Sequence, residues 1–310
     1  MRESPSAAVT GAFSYTGSAV ARSLLSRGLA VRTLTNRRAP INDPGGSVDI
    51  YPLQFDDPKQ LVDSMRGTQV LVNTYWVRYP SVGVSFDRAV ENTRVLVQAA
   101  VEAGVQRIVH VSVSNPSLDS PLGYYRGKAQ AEAIVRSMPI SHAIVRPTLV
   151  VGAHDILVNN IAWFLRRFPF FAVPGSGNYR LQPVTLDDVG EIIADAALGF
   201  GDMTIDAAGP DVLSFERFVL AIGAAIGHPA RIIRLPPGLA LQLIRLAGLW
   251  VREVVLSREE LDGLMTELLL SHEPPLGKQS VLSWLSEHGS ELGLAYTSEL
   301  ARHASRRARG

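Results

Sequence analysis

Six short apolar runs, with four stretches of helical spacing between them, fill the first 147 residues, and this alternation restricts the fold more than any other feature. The runs lie at 7–10, 30–35, 49–53, 69–74, 107–113 and 142–147, and the helical patterns between them at 16–27, 58–65, 84–103 and 122–136. Strands that are apolar nearly throughout are buried on both faces, as in a parallel sheet covered by helices. Right-handed crossovers then give an α/β fold, a doubly wound parallel sheet with its ligand crevice at the carboxyl ends of the strands. After about Gly152 the pattern changes. Helical spacing dominates at 157–168, 186–197, 215–226, 239–256 and 258–268, with short strands expected at 179–185 and 203–207. The expected division is a sheet domain over 1–152 and a smaller, mostly helical cap over 153–310, with segments returning to the sheet.

Composition removes several function classes. A net charge of +1 is too balanced for a nucleic-acid surface. With no cysteine, disulfides and thiolate metal sites are excluded. Seven histidines lie scattered without metal-ligand spacing, so no metal is expected. The first residues hold no long apolar core, and no stretch reaches the roughly 18 uncharged apolar residues of a membrane span. A cytoplasmic protein without stable membrane insertion is expected, with room for a homo-oligomer. The apolar stretch GLALQLIRLAGLWV reads first as a core helix of the cap and second as a partner or membrane-surface helix.

The first run opens into TGAFSYTG, residues 10–17. A strand, a glycine turn and a helix start bind a diphosphate, because the first N–H groups of a helix are unpaired and partly positive. Gly11 makes the turn, and Gly17 lets the helix pack close to the strand. Ser14 stands where a third glycine is expected. Were φ positive there, serine would cost about 1 kcal/mol. Gly11, Phe13, Ser14, Tyr15, Thr16 and Gly17 are the candidate phosphate contacts. After the second run comes TLTNRRAP, with no carboxylate for a ribose 2′-hydroxyl. Asn36, Arg37 and Arg38 stand there instead, and arginine matches a 2′-phosphate bidentately. NADP is therefore expected as cofactor ahead of NAD.

Lysine occurs only at 59, 128 and 278, yet Lys128 falls four residues after Tyr124, just beyond the fifth run. That spacing puts both on one helix face. An ammonium beside a phenol lowers the phenol's pKa, which suits Tyr124 to proton transfer at a substrate oxygen. Ser112 and Ser114 alternate with valines on one face of the strand end, where a hydroxyl can hold that oxygen. In NTYWVRYP, Tyr75 and Trp76 end a strand and are candidates for lining a substrate pocket, together with Tyr125.

On Thr10-Gly11-x-x-Ser14-x-x-Gly17, Tyr124-x-x-x-Lys128, VRPTLVVG and LQPVTLDDVG, the chain resembles an atypical or extended member of the short-chain dehydrogenase/reductase superfamily. The likeness is to its NAD(P)-binding epimerase/dehydratase-like and NmrA-like branches and spans about the first 190 residues. It implies a Rossmann domain over 1–152 and a substrate-binding cap. It further implies Tyr124 as acid/base, Lys128 on the nicotinamide ribose, and Ser112 or Ser114 on the substrate oxygen. Asn92 takes the place of a supporting asparagine. Gln54 and Phe55 would meet the adenine, Asn73 and Thr74 the cofactor ribose, and Pro147 and Thr148 the nicotinamide. Two departures stand out, Ser14 for glycine and Gln54 for aspartate. The leading expectation is an NADP-dependent oxidoreductase moving hydride between the nicotinamide and a carbonyl or alcohol carbon of a small molecule. The alternatives are a cofactor-retaining sugar-nucleotide epimerase or dehydratase, and a non-catalytic NADP-binding sensor or assembly protein.

Overall fold

The computed structural model describes residues 5–36, 44, 46–78, 80, 84–242 and 257–297. Arg37 and Arg38, most of the helical pattern at 239–256, and the basic tail after Arg302 lie outside the described residues.

Seven parallel strands form the main sheet: β1 (Ser6–Thr10), β2 (Ala30–Leu34), β3 (Val48–Tyr51), β4 (Val70–Asn73), β5 (Arg107–Val111), β6 (Ser141–Pro147) and β11 (Met203–Ala207). Their spatial order is β11-β6-β5-β4-β1-β2-β3. The order reverses beside β1, which has β2 on one side and β4 on the other, so the crevice opens at the carboxyl ends of β1 and β4. The helices α1 (Tyr15–Ser26), α2 (Pro58–Met65), α3 (Phe86–Glu102) and α4 (Gly123–Ser137) follow β1, β3, β4 and β5. Serine or aspartate caps start the first three: Ser14, Asp57 and Ser85 each accept an N–H from the first turn. Proline at the first position of α2 costs no hydrogen bond there.

Burial on both faces explains the continuous apolar runs. Ala8, Leu34, Leu71, Ile108 and Ile144 form one core with Leu61, Met65 and Leu96 of α2 and α3. On the other face lies α1, with α6 (Leu186–Leu198) against it. A Cβ on Gly190 of α6 would lie 2.9 Å from the backbone of Ala19, so glycine permits this approach. Arg107 of β5 is buried and ties the late segment down, donating to Ala196 O at 2.8 Å and Gly201 O at 2.8 Å. One compact unit thus comprises residues 1–147 and 186–207.

The second unit comprises residues 148–185 and 208–310. Its core gathers Val173, Leu181, Phe218, Ile222 and Trp284. Two elements there escape the helical pattern of the sequence, the parallel strands β8 (Phe170–Pro174) and β13 (Arg231–Leu235). The single strand expected at 179–185 is two, β9 (Arg180–Leu181), antiparallel to β12 (Leu213–Ser214), and β10 (Pro183–Thr185), parallel to β7 (Leu149–Val151). The break is at buried Gln182, whose amide donates to Gly209 O and accepts the Ser271 N–H, while its own N–H donates to Leu269 O. These bonds take it out of any ladder. Among the described residues no helix is long and apolar enough to cross a membrane, and no cluster of His, Asp or Glu is placed to hold a metal.

Candidate functional site

The loop after β1 closes on itself. Gly11 has φ +70 and donates its N–H to Leu34 O at 3.0 Å. A Cβ on Gly17 would stand 2.1 Å from Gly11 O, which no side chain tolerates. Ser14 has φ −83 and ψ 173, ordinary extended backbone. The left-handed strain considered for a serine here therefore does not arise. Its hydroxyl accepts the Gly17 N–H at 3.2 Å as the cap of α1. One of the helix's unpaired N–H groups is thereby satisfied by the chain itself. Phe13 is buried, and Tyr15 and Thr16 are half-buried at the helix start.

Behind this loop a buried polar knot joins three strand ends. The Thr10 hydroxyl donates to Asn73 Oδ1 at 3.2 Å and accepts the Thr74 and Tyr75 N–H groups at 2.7 and 3.0 Å. The Thr74 hydroxyl returns a bond to Thr10 O. Asn73 Nδ2 meets His110 Nδ1 of β5 at 3.0 Å. Asn73 thus spends its amide inside the sheet, and Thr74 is bound to β1. His110 escaped the sequence reading; the signal was one histidine inside the apolar run RIVHV. Burial, and then Lys128, holds its imidazole down to about 3.

A cavity of about 220 Å³ opens where β2, β3 and β4 end, lined by Asn36, Gln54, Phe55, Tyr75, Arg88 and Asn92 among others. Five residues singled out from the sequence come together here. Asn36 bridges to Leu53, donating to its carbonyl at 2.7 Å and accepting its N–H at 3.1 Å. Phe55 and Tyr75 lie ring to ring at 4.7 Å. Asn92 donates to the Tyr75 hydroxyl at 2.8 Å. Tyr75, expected in a substrate pocket, lines this cavity. Arg88, which the sequence did not single out, crosses to Asp56 at 3.0 Å on the rim.

The other end of the site is on α4. Tyr124 and Lys128 stand one turn apart, as their spacing requires. Lys128 is 3% exposed, donates to Val111 O at 2.9 Å, and lies 4.6 Å from the Trp76 ring centroid. Burial brings its ammonium down to about 7. Trp76 also meets the Tyr124 ring edge-on at 6.3 Å, and Tyr125 is buried beside Tyr124. Ser112 and Ser114 are both buried, and their N–H groups donate to Val145 O and Pro147 O. They therefore share one side of the strand extension, as alternation predicts. Further along α4, buried Glu132 takes two bonds from Arg146, at 2.9 and 2.7 Å, and one from Arg136. Pro147 ends β6. Thr148 belongs to the second unit, where its hydroxyl donates to Gln182 O.

The first unit thus carries a helix-start loop, a small aromatic cavity and a phenol–ammonium pair along one edge of its sheet. The sequence profile of the NAD(P)H-binding family matches residues 11–154. The chain is 25% identical over 238 residues to the Arabidopsis thaliana mitochondrial NADH dehydrogenase [ubiquinone] 1 alpha subcomplex subunit 9, a match covering 72% of this chain. It spans 59% of that relative's length and 39% of the rat protein of the same name. Among solved structures, Citrobacter sp. triphenylmethane reductase superposes with a TM-score of 0.74 at 16% identity, over 93% of this chain and 100% of that one. The Escherichia coli NADPH-dependent quinone oxidoreductase, solved with NADPH, gives 0.73 at 17% identity, over 91% and 99%. Residues 11–154 thus match the NAD(P)H-binding family model, and the chain has the Rossmann-like α/β fold of these reductases.

Proposed function

We propose that the chain is an NADP-preferring oxidoreductase of small molecules. The observation that carries this reading is the Tyr124–Lys128 pair on α4, on the sheet edge that also holds the Gly11–Gly17 loop. The loop fits a dinucleotide: Gly17, where a Cβ would meet Gly11 O at 2.1 Å, lets it close into a cradle at the N-terminus of α1. Phe13, Ser14, Tyr15 and Thr16 border the diphosphate there. The cavity of Gln54, Phe55 and Tyr75 takes the adenine, and Asn36, Arg37 and Arg38 take the 2′-phosphate end. Asn73, Thr74 and Pro147 support the ribose and nicotinamide end.

Nicotinamide, when bound, supplies or accepts hydride at a carbonyl or alcohol carbon. Tyr124 gives or takes the proton at the oxygen of that carbon. Lys128 favours the ionised phenol by its charge and binds the ribose. A hydroxyl of Ser112 or Ser114 holds the substrate oxygen and stabilises charge developing on it. Trp76 and Tyr125 wall the substrate side.

A second reading is binding of the dinucleotide without turnover. It is favoured by the burial of Lys128 beneath Trp76 and by relatives named as subunits of an NADH dehydrogenase. One experiment separates the two. Wild type and Tyr124→Phe are assayed for NADPH binding and for turnover on a panel of carbonyl compounds. The enzyme reading expects intact binding and turnover reduced about 100-fold or more. A wild type that binds NADPH and reduces nothing on the panel supports the second reading.

A further inference from the structure

We propose that Trp76 is a positioning residue that competes with the cofactor's nicotinamide ribose for the Lys128 ammonium. The inference rests on the reading of Lys128 as a ribose ligand. Lys128 has three N–H donors, of which one is spent on Val111 O. The Trp76 indole covers the ammonium at 4.6 Å, and only 3% of the residue is exposed. A ribose hydroxyl cannot reach a nitrogen so covered; indole and ribose must take turns.

The indole's seat is well shaped but poorly bonded. Gly127 leaves room for it on α4, where a Cβ would stand 3.1 Å from the Trp76 ring. Phe86 stacks on it at 6.4 Å with planes 10° apart, and Tyr124 meets it edge-on. The indole N–H is buried and makes no hydrogen bond. An unpaired buried donor is a cost that leaving the seat relieves. The backbone beside it is anchored. Tyr75 gives its N–H to Thr10 and Asn73, and its hydroxyl accepts from Asn92, so the exchange is a turn of the Trp76 side chain about a held backbone. Covered and uncovered states of Lys128 then divide the population, and apparent affinity falls by the uncovered fraction. The same exchange removes the edge contact of Trp76 on Tyr124.

Binding is measured calorimetrically for wild type, Trp76→Phe and Trp76→Ala with two probes. NADP⁺ carries the nicotinamide half; adenosine 2′,5′-bisphosphate lacks it. Competition predicts that Trp76→Ala binds NADP⁺ about tenfold more tightly, with Trp76→Phe between it and wild type, because phenyl holds a cation less well than indole. Adenosine 2′,5′-bisphosphate binds all three alike. Wild-type tryptophan emission shifts on saturation with NADP⁺, and Trp76→Phe loses that shift. Equal or weaker NADP⁺ binding by both variants, with wild type binding normally, overturns the competition alone. Parallel tightening for both probes overturns it too, since the effect is then not at Lys128. If wild type binds neither probe, the cofactor reading itself falls and takes this one with it.

Discussion

Asn73 Nδ2 lies 3.0 Å from His110 Nδ1, inside the sheet. The amide can only donate there, so Nδ1 accepts and the imidazole carries its proton on Nε2. With burial holding the folded-state pKa near 3 against an ordinary 6.5, the unfolded chain binds an extra proton between those values. The contribution to stability is complete above pH 6.5 and is lost as pH falls towards 3. Urea unfolding of wild type at pH 7.5, 6 and 4.5 should show a steady decline. His110→Asn, which keeps an acceptor near Nδ1 and does not titrate, should decline less steeply. Equal slopes for the two proteins would remove His110 from the acid limb.

Lys128 acts in another window. Its folded-state pKa of about 7 lies below the usual 10.5, so the unfolded chain holds more protons between these values. Stability from this group therefore rises with pH from 7 to 10.5. Lys128→Met should flatten that rise and be the more stable of the two at pH 6. A variant with the wild-type slope above pH 7 would show that the ammonium is solvated in the folded protein.

The opening loop makes a graded prediction. Ser14→Ala removes the cap of α1 and should cost about 1 kcal/mol, whereas Ser14→Gly should cost only a few tenths. Since φ at Ser14 is already negative, glycine gains nothing from its left-handed freedom. Gly17→Ala, with its Cβ 2.1 Å from Gly11 O, should abolish dinucleotide binding. Thermal melting and NADPH titration of the three variants check the order; full NADPH binding by Gly17→Ala would mean the cradle is not the phosphate site.

Glu132, whose side chain is 2% exposed, is held by Arg146 and Arg136. Burial pushes its carboxyl up, but the Arg146 bonds and the two guanidinium charges override that and hold it below the usual carboxylate range. Glu132→Gln leaves Arg146 without its counter-charge and should cost about 2 kcal/mol at pH 7, discounted for the partial exposure of the arginines. The deficit should shrink as wild type itself protonates in acid. Chemical denaturation at pH 7 and pH 3 measures both; a deficit of constant size would assign the loss to packing.

What the sequence made legible is what burial alone determines. The alternation of apolar runs and helical spacing placed all six opening strands, and α2 was placed at its observed ends because Asp57 and Pro58 mark a helix start locally. Met203–Ala207 was equally visible as a strand, although nothing local says that it joins β6. Side-chain engagement was not legible. Asn73 is bound by residues 63 positions before it and 37 after it. Gln182 breaks its strand through partners at 209 and 271. Arg88 reaches the rim of the Phe55–Tyr75 cavity because α3 begins beside the strand ends, which spacing along the chain does not encode.

The late return of residues 186–207 to the sheet sets a delay on synthesis. Arg107 is laid down in a central strand, but its carbonyl acceptors at Ala196 and Gly201 emerge 89 and 94 residues later. At ribosomal speeds that is a wait of roughly 5 to 20 seconds. Meanwhile the guanidinium stays hydrated and the outer edge of β6 stays unpaired, until β11 arrives to pair with it. A nascent chain of this protein is thus most exposed to wrong pairing while residues 148–185, the first part of its second unit, are being made, and it completes its first unit only once residues 186–207 have followed.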